Sequence, residues 1–176
     1  MSAPLPQTIE LATVLLDAEL TIAVAESLTG GLLTGELAKV PGISASLQGG
    51  IVAYQTELKH RLLGVPESVL ERFGAVSPET ALAMAKGVRE ATSRDGGSPD
   101  IGVATTGVAG PDAQDGKAAG LVFIGIDSIF GEQVIRLDFS RLVDVADALA
   151  SRDRVRTATV EAAVYNVAEH LVARTR

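Results

Sequence analysis

Ala25-Glu26-Ser27-Leu28-Thr29-Gly30-Gly31-Leu32-Leu33 is the stretch that decides how this chain reads. It follows the apolar run Thr21 to Ala25 and precedes Leu32, Leu33, Leu37 and Val40, which recur at helical spacing. The pattern predicts a strand, a tight polar turn and then a helix over about residues 30–39. A strand running into a helix N-terminus brings together a hydroxyl, free backbone N–H groups and the positive end of a helix dipole. Such a point can bind an anion, or hold an oxyanion beside a nucleophilic serine. The same residues fit a plainer role, in which Ser27 or Thr29 caps the helix and the glycines relieve a crowded turn. Other stretches must decide between the two.

Upstream, residues 1–7 carry Pro4 and Pro6 and are expected to form a flexible arm, with the globular unit spanning 8–176. Thr8 is placed to cap a helix bearing Ile9, Leu11, Ala12, Leu15 and Leu16. Downstream, Val40-Pro41-Gly42 stops the helix that follows the turn. Gln48 to Tyr54 reads as a second strand, and Gln55 to Val65 as a short helix closed by Gly64. Ser77-Pro78-Glu79 is a strong helix start, because serine caps, proline fits the first position and glutamate favours the dipole. The alanines of the helix 78–92 suggest close packing on a sheet. Ile101 to Thr105 reads as a strand buried on both faces and ends in Thr106-Gly107-Val108-Ala109-Gly110-Pro111. A loose polar segment to Ala119 follows, then paired strands over 120–127 and 132–139 and a long C-terminal helix. The expected fold is α/β: a single three-layer α/β/α domain with a mixed, mostly parallel sheet of about five or six strands.

Composition narrows the chemistry. The 176 residues suit one domain, and a net charge of −7 opposes nucleic acid as the main partner. Cysteine is absent, which excludes disulfides, zinc–thiolate sites and thiol nucleophiles. His60 and His170 lie far apart, so no metal site is expected, and nothing points to an organic cofactor. No stretch reads as a secretory signal or membrane span, which makes a cytoplasmic protein the default expectation. A homodimer is expected because closed homo-oligomers are common.

A serine hydroxyl needs a neighbouring base, and neither histidine is obviously placed to serve. Lysine can, if burial or nearby cations such as His60 or Arg61 lower its pKa. Lys59 follows the second strand and Thr106 ends the third, so both belong to the sheet edge that carries Ser27. Ligands of open α/β sheets bind at that edge. Backbone N–H groups near Gly30 and Gly31 are the candidate oxyanion donors. Arg152, Arg154 and Arg156 stand near the start of the last helix, where cations oppose the dipole, a misfit that fits either a solvated basic surface facing Glu or Asp elsewhere or an anionic partner.

Together these residues resemble the CinA C-terminal domain family, whose characterised members are nicotinamide-nucleotide amidohydrolases. The matching stretches are Ala25-Glu26-Ser27-x-Thr29-Gly30-Gly31, Gly50-x-Val52-Ala53-Tyr54-x4-Lys59, Leu63-Gly64-Val65, Gly74-Ala75-Val76-Ser77 and Thr106-Gly107-x-Ala109-Gly110-Pro111. The resemblance implies Ser27 as nucleophile, Lys59 as general base and Thr106 as a supporting hydroxyl. It implies substrate-binding roles for Glu26, Thr29, Gly30 and Gly31, for Tyr54, Gly107 and Gly110, and for Arg152 and Arg156 toward a substrate phosphate. The implied reaction converts nicotinamide mononucleotide and water to nicotinic acid mononucleotide and ammonia. The chain departs from the family's pattern over Asp112–Gly120, where a Lys-Pro-Val-Gly segment is usual, and over Ser140–Ser151, which is longer than usual. Two other readings are a nucleotide- or phosphate-binding regulatory module without turnover, and an oligomeric scaffold.

Overall fold

Alternate residues of the first strand differ in size, and that difference sorts the helices onto the two faces of the sheet. The computed structural model describes residues 3–175. On β1 (Ile22–Glu26), Ile22 and Val24 face one side, and Ala23 and Ala25 the other. On β3 (Ile101–Gly107), Ile101 and Val103 share the first side, and Ala104 the second. The large residues form the main core with Leu11 and Leu15 of α1 (Pro6–Asp17), Leu33 and Leu37 of α2 (Leu32–Leu37), and Val160, Val164 and Leu171 of α6 (Ala148–Thr175). The small residues admit α5 (Pro78–Ala91) and α3 (Thr56–Leu63) close to the sheet, with the short α4 (Glu67–Phe73) between them in the chain. A Cβ on Gly102 would lie 2.1 Å from the Ala85 carbonyl oxygen of α5. Gly102→Ala should therefore cost about 1–3 kcal/mol, as overpacking of a filled core does, and lower the urea midpoint. Gly35→Ala, in α2 with nothing within 4 Å of the added methyl, should leave the midpoint unchanged or raise it.

Among the described residues the sheet has three further strands, β2 (Leu47–Val52), β4 (Leu121–Ser128) and β5 (Gly131–Asp138), and the order is β2-β1-β3-β4-β5. β1 pairs in parallel with β2 and β3, whereas β4 and β5 join antiparallel. The predicted three-layer mixed α/β domain is the observed one. Glu26 stands level with Val52 on one side and with Thr105 on the other, so β1 and β2 end together and β3 two residues further on. Their exits deliver three loops to one edge.

Several local expectations give way. Thr8 does not cap α1; the helix starts at Pro6, whose missing N–H is harmless at a first helical position. Leu5 N and Thr8 Oγ1 instead both donate to Glu36 Oε1, at 2.7 and 3.0 Å, which ties residues 5–8 to α2. Residues 1 and 2 of the expected arm, like Arg176 at the far end, lie outside the described residues. The segment after Pro111 is a small hairpin rather than a loose run. Gln114 and Lys117 exchange backbone hydrogen bonds of 3.0 and 2.8 Å around Asp115 and Gly116, both with positive φ. α6 begins at Ala148, behind Asp147, which accepts from Ala150 N at 3.2 Å.

Candidate active site

The turn after β1 is built by Ser27-Leu28-Thr29-Gly30-Gly31. Ser27 N donates to Thr105 O at 2.9 Å, extending the strand pairing by one residue. Ser27 O then accepts from Gly30 N at 3.1 Å, and Gly30 and Gly31 take φ of 58° and 99°, which glycine adopts without a Cβ penalty. Gly31 N and Leu33 N donate to Glu26 Oε2 at 2.9 and 3.1 Å. Thr34 N and Thr34 Oγ1 donate to Glu26 Oε1 at 2.8 and 2.6 Å. The anion held by this helix start is thus the chain's own Glu26, which is 0% exposed.

That arrangement overturns the expected oxyanion donors. Gly30 N and Gly31 N are already spent, on Ser27 O and Glu26. Among the described residues, Leu28 N and Gly107 N have no acceptor, and both residues line the cleft. The amide one residue past a nucleophile, paired with one from a neighbouring strand end, is a recurrent oxyanion arrangement. A carboxylate one residue before the turn can fold back under it, and Glu26 does so instead of lining the cleft.

Lys59 sits on the inner side of α3 and is 1% exposed. Its Nζ lies 3.0 Å from Ser27 Oγ, 2.8 Å from Ala53 O and 3.2 Å from Tyr54 O. Burial lowers its pKa from 10.5 to about 8. The neighbouring cations expected to help do not, since His60 bonds Val65 O and Arg61 pairs with Glu57. An uncharged amine that donates its two hydrogens to the Ala53 and Tyr54 carbonyls keeps its lone pair for the Ser27 proton.

Thr106 is fully buried and lines the same cleft, but its hydroxyl donates to Ala75 O at 2.6 Å and bonds neither Ser27 nor Lys59. Ala75 is held by the Gly74–Ser77 turn, where Ser77 caps α5 through Thr80 N at 3.1 Å. With its proton committed to Ala75, Thr106 Oγ1 can act only as an acceptor. The cleft is a partly open cavity of about 140 Å³. Tyr54, Gly107, Gly110 and Arg152 line it; Glu26, Thr29, Gly30, Gly31 and Arg156 do not. Thr29 lies buried beneath, its hydroxyl 2.7 Å from that of Thr105.

The arginines of α6 explain their own misfit with the helix start. Arg152 donates to Gly110 O at 2.5 Å and to the Tyr54 hydroxyl at 3.1 Å. Arg154 donates to Leu142 O, and Arg156 to Leu28 O and Thr29 O at 3.0 Å each. Loop carbonyls, rather than the helix's own dipole, set their position. His170 takes no part, since it bonds Ser128 and Gln133 at the hairpin end of β4. Ser128 is level with Ile101, the start of β3, so His170 lies at the opposite edge of the sheet.

These features define a single α/β domain with a hydroxyl and a buried amine in contact at its strand-end cleft. The chain belongs to the family described as the CinA C-terminal domain, whose model matches residues 6–171. It is 47% identical over 90% of its length to a relative from Desulforamulus reducens that carries the name competence-damage inducible protein, covering 35% of that relative. It is 57% identical over 60% of its length to a CinA-like protein from Frankia casuarinae, covering 23% of it. The chain thus spans about a third or less of the curated relatives it matches. Among solved structures, the competence/damage inducible protein CihA from Agrobacterium tumefaciens superposes with a TM-score of 0.80 at 32% identity, with all of both chains covered. A CinA superfamily protein from Klebsiella pneumoniae gives 0.83 at 27% identity, with 95% of this chain and 96% of that one covered.

Proposed function

We propose that this domain hydrolyses the carboxamide of nicotinamide mononucleotide, giving nicotinic acid mononucleotide and ammonia by way of a serine ester. The observation that carries the reading is the 3.0 Å contact between Ser27 Oγ and the buried Lys59 Nζ. Uncharged Lys59 takes the Ser27 proton as Oγ attacks the amide carbon, and the Leu28 and Gly107 amides stabilise the oxyanion. The protonated lysine returns its proton to the departing nitrogen, so that the C–N bond breaks with ammonia leaving. Water, deprotonated by the same amine, then attacks the ester carbon, and collapse frees Ser27 and the acid. Thr106 Oγ1, its own proton committed to Ala75, accepts from the substrate carboxamide N–H. Arg152, at the cleft mouth beside Tyr54, meets the phosphate.

The test is ammonia release and nicotinic acid mononucleotide formation from nicotinamide mononucleotide by the purified chain. Binding without either product would favour a non-catalytic nucleotide-binding module. With a pKa of about 8, Lys59 is uncharged in roughly one molecule in ten at pH 7, against about one in three thousand at its ordinary value. The rate should therefore rise about tenfold per pH unit below pH 8 and level off above it. A rate flat between pH 6 and 9 would exclude Lys59 as the base.

A further inference from the structure

The turn that carries Ser27 is held from both sides by opposite charges, neither of which lines the cleft. On one side the Glu26 carboxylate accepts four hydrogen bonds from the segment that follows the turn. On the other, the Arg156 guanidinium donates Nε–H to Leu28 O and Nη2–H to Thr29 O, across 128 and 127 residues of sequence. Among the described residues Arg156 forms no salt bridge with a carboxylate, and Glu26 none with a cation. The cation is therefore directed at backbone carbonyls, and the anion at three backbone N–H groups and the Thr34 hydroxyl. Any rotation of the Leu28 or Thr29 peptide that moved Ser27 Oγ would break a charge-assisted bond, which is stronger than a neutral one.

We propose that Glu26 and Arg156 are positioning residues, an anion–cation brace that fixes the Ser27 turn so that Oγ faces Lys59. The proposal rests on reading Ser27 as the activated nucleophile. It separates the two arginines: Arg152 serves the cleft, and Arg156 serves the turn. Misplacement of a reacting atom by about 1 Å can cost roughly a hundredfold in rate.

The test uses a fluorophosphonate, which phosphonylates activated serines with loss of fluoride, with the rate of Ser27 labelling followed by mass spectrometry and folding checked by thermal unfolding. Wild type should label at Ser27. Arg156→Gln and Glu26→Gln should label about ten- to a hundredfold more slowly, with Arg156→Lys between, since an ammonium cannot bridge both carbonyls in the fork geometry of a guanidinium. Arg154→Gln, which removes the same charge from the same helix, should label at the wild-type rate. With nicotinamide mononucleotide, the Arg156→Gln loss should fall on kcat and leave KM within about twofold, whereas lost binding would raise KM. Folded Arg156→Gln that labels as fast as wild type, or an equal loss in Arg154→Gln, overturns the brace while leaving the nucleophile intact. A wild-type protein whose Ser27 does not label overturns the nucleophile and the brace with it.

Discussion

Ser27→Ala should lower ammonia release from nicotinamide mononucleotide by about 10⁴-fold or more while leaving binding of the nucleotide nearly unchanged. The size follows from what is lost. The Ser27 hydroxyl is the group in contact with the buried amine of Lys59. Without it, water would have to be both oriented and deprotonated in a single step. The side chain is small and 8% exposed, so alanine should leave the fold as it is. A steady-state ammonia assay beside a binding titration with the same ligand separates the two quantities. Ammonia release at a tenth of the wild-type rate or more would remove Ser27 from the chemistry.

Lys59→Met should reduce turnover by about 10³- to 10⁴-fold, the scale of losing a general base. It should also change stability in a way that reports on charge. The folded pKa of about 8 lies below the ordinary 10.5, so the unfolded chain binds the extra proton through that interval. The lysine's contribution to stability is thus complete only above pH 10.5 and is lost as pH falls through 8. Methionine removes a penalty of about 3 kcal/mol at pH 7, part of it offset because the Ala53 and Tyr54 carbonyls lose their donor. Urea unfolding should therefore show the variant at least as stable as wild type at pH 7, with the margin shrinking toward pH 10. A variant markedly less stable at pH 7 would mean that the amine is held as a satisfied ammonium. Because serine and lysine act as a unit, the double variant should be no slower than the slower single one.

Much of this architecture could be read from short-range chemistry. The apolar run ending at Ala25, the glycines at 30 and 31 and the leucines beyond mark strand, turn and helix before any contact is known. Ser77-Pro78-Glu79 announces α5 by the same local means. The hairpin at 114–117 was also legible, since Asp115-Gly116 is a favoured pair for a tight turn, but the polar composition around it concealed the signal. Thr8 misled because capping propensity is weak beside a long-range carboxylate; Glu36 captured its hydroxyl.

Residue order alone determined that this chain folds as an α/β domain of the CinA C-terminal kind and that Ser27, Lys59 and Thr106 leave neighbouring strand ends. Those features follow from periodicity and turn chemistry, which act over a few residues. Only the tertiary structure decided that Lys59 is buried against Ser27, that Glu26 consumes the helix start, and that Arg156 reaches back to the turn while Arg152 reaches the cleft. Glu26 folds back onto residues five to eight positions ahead of it, but for Lys59 against Ser27 and for the two arginines, contacts are set by packing between segments tens to more than a hundred residues apart. No local pattern encodes such distances.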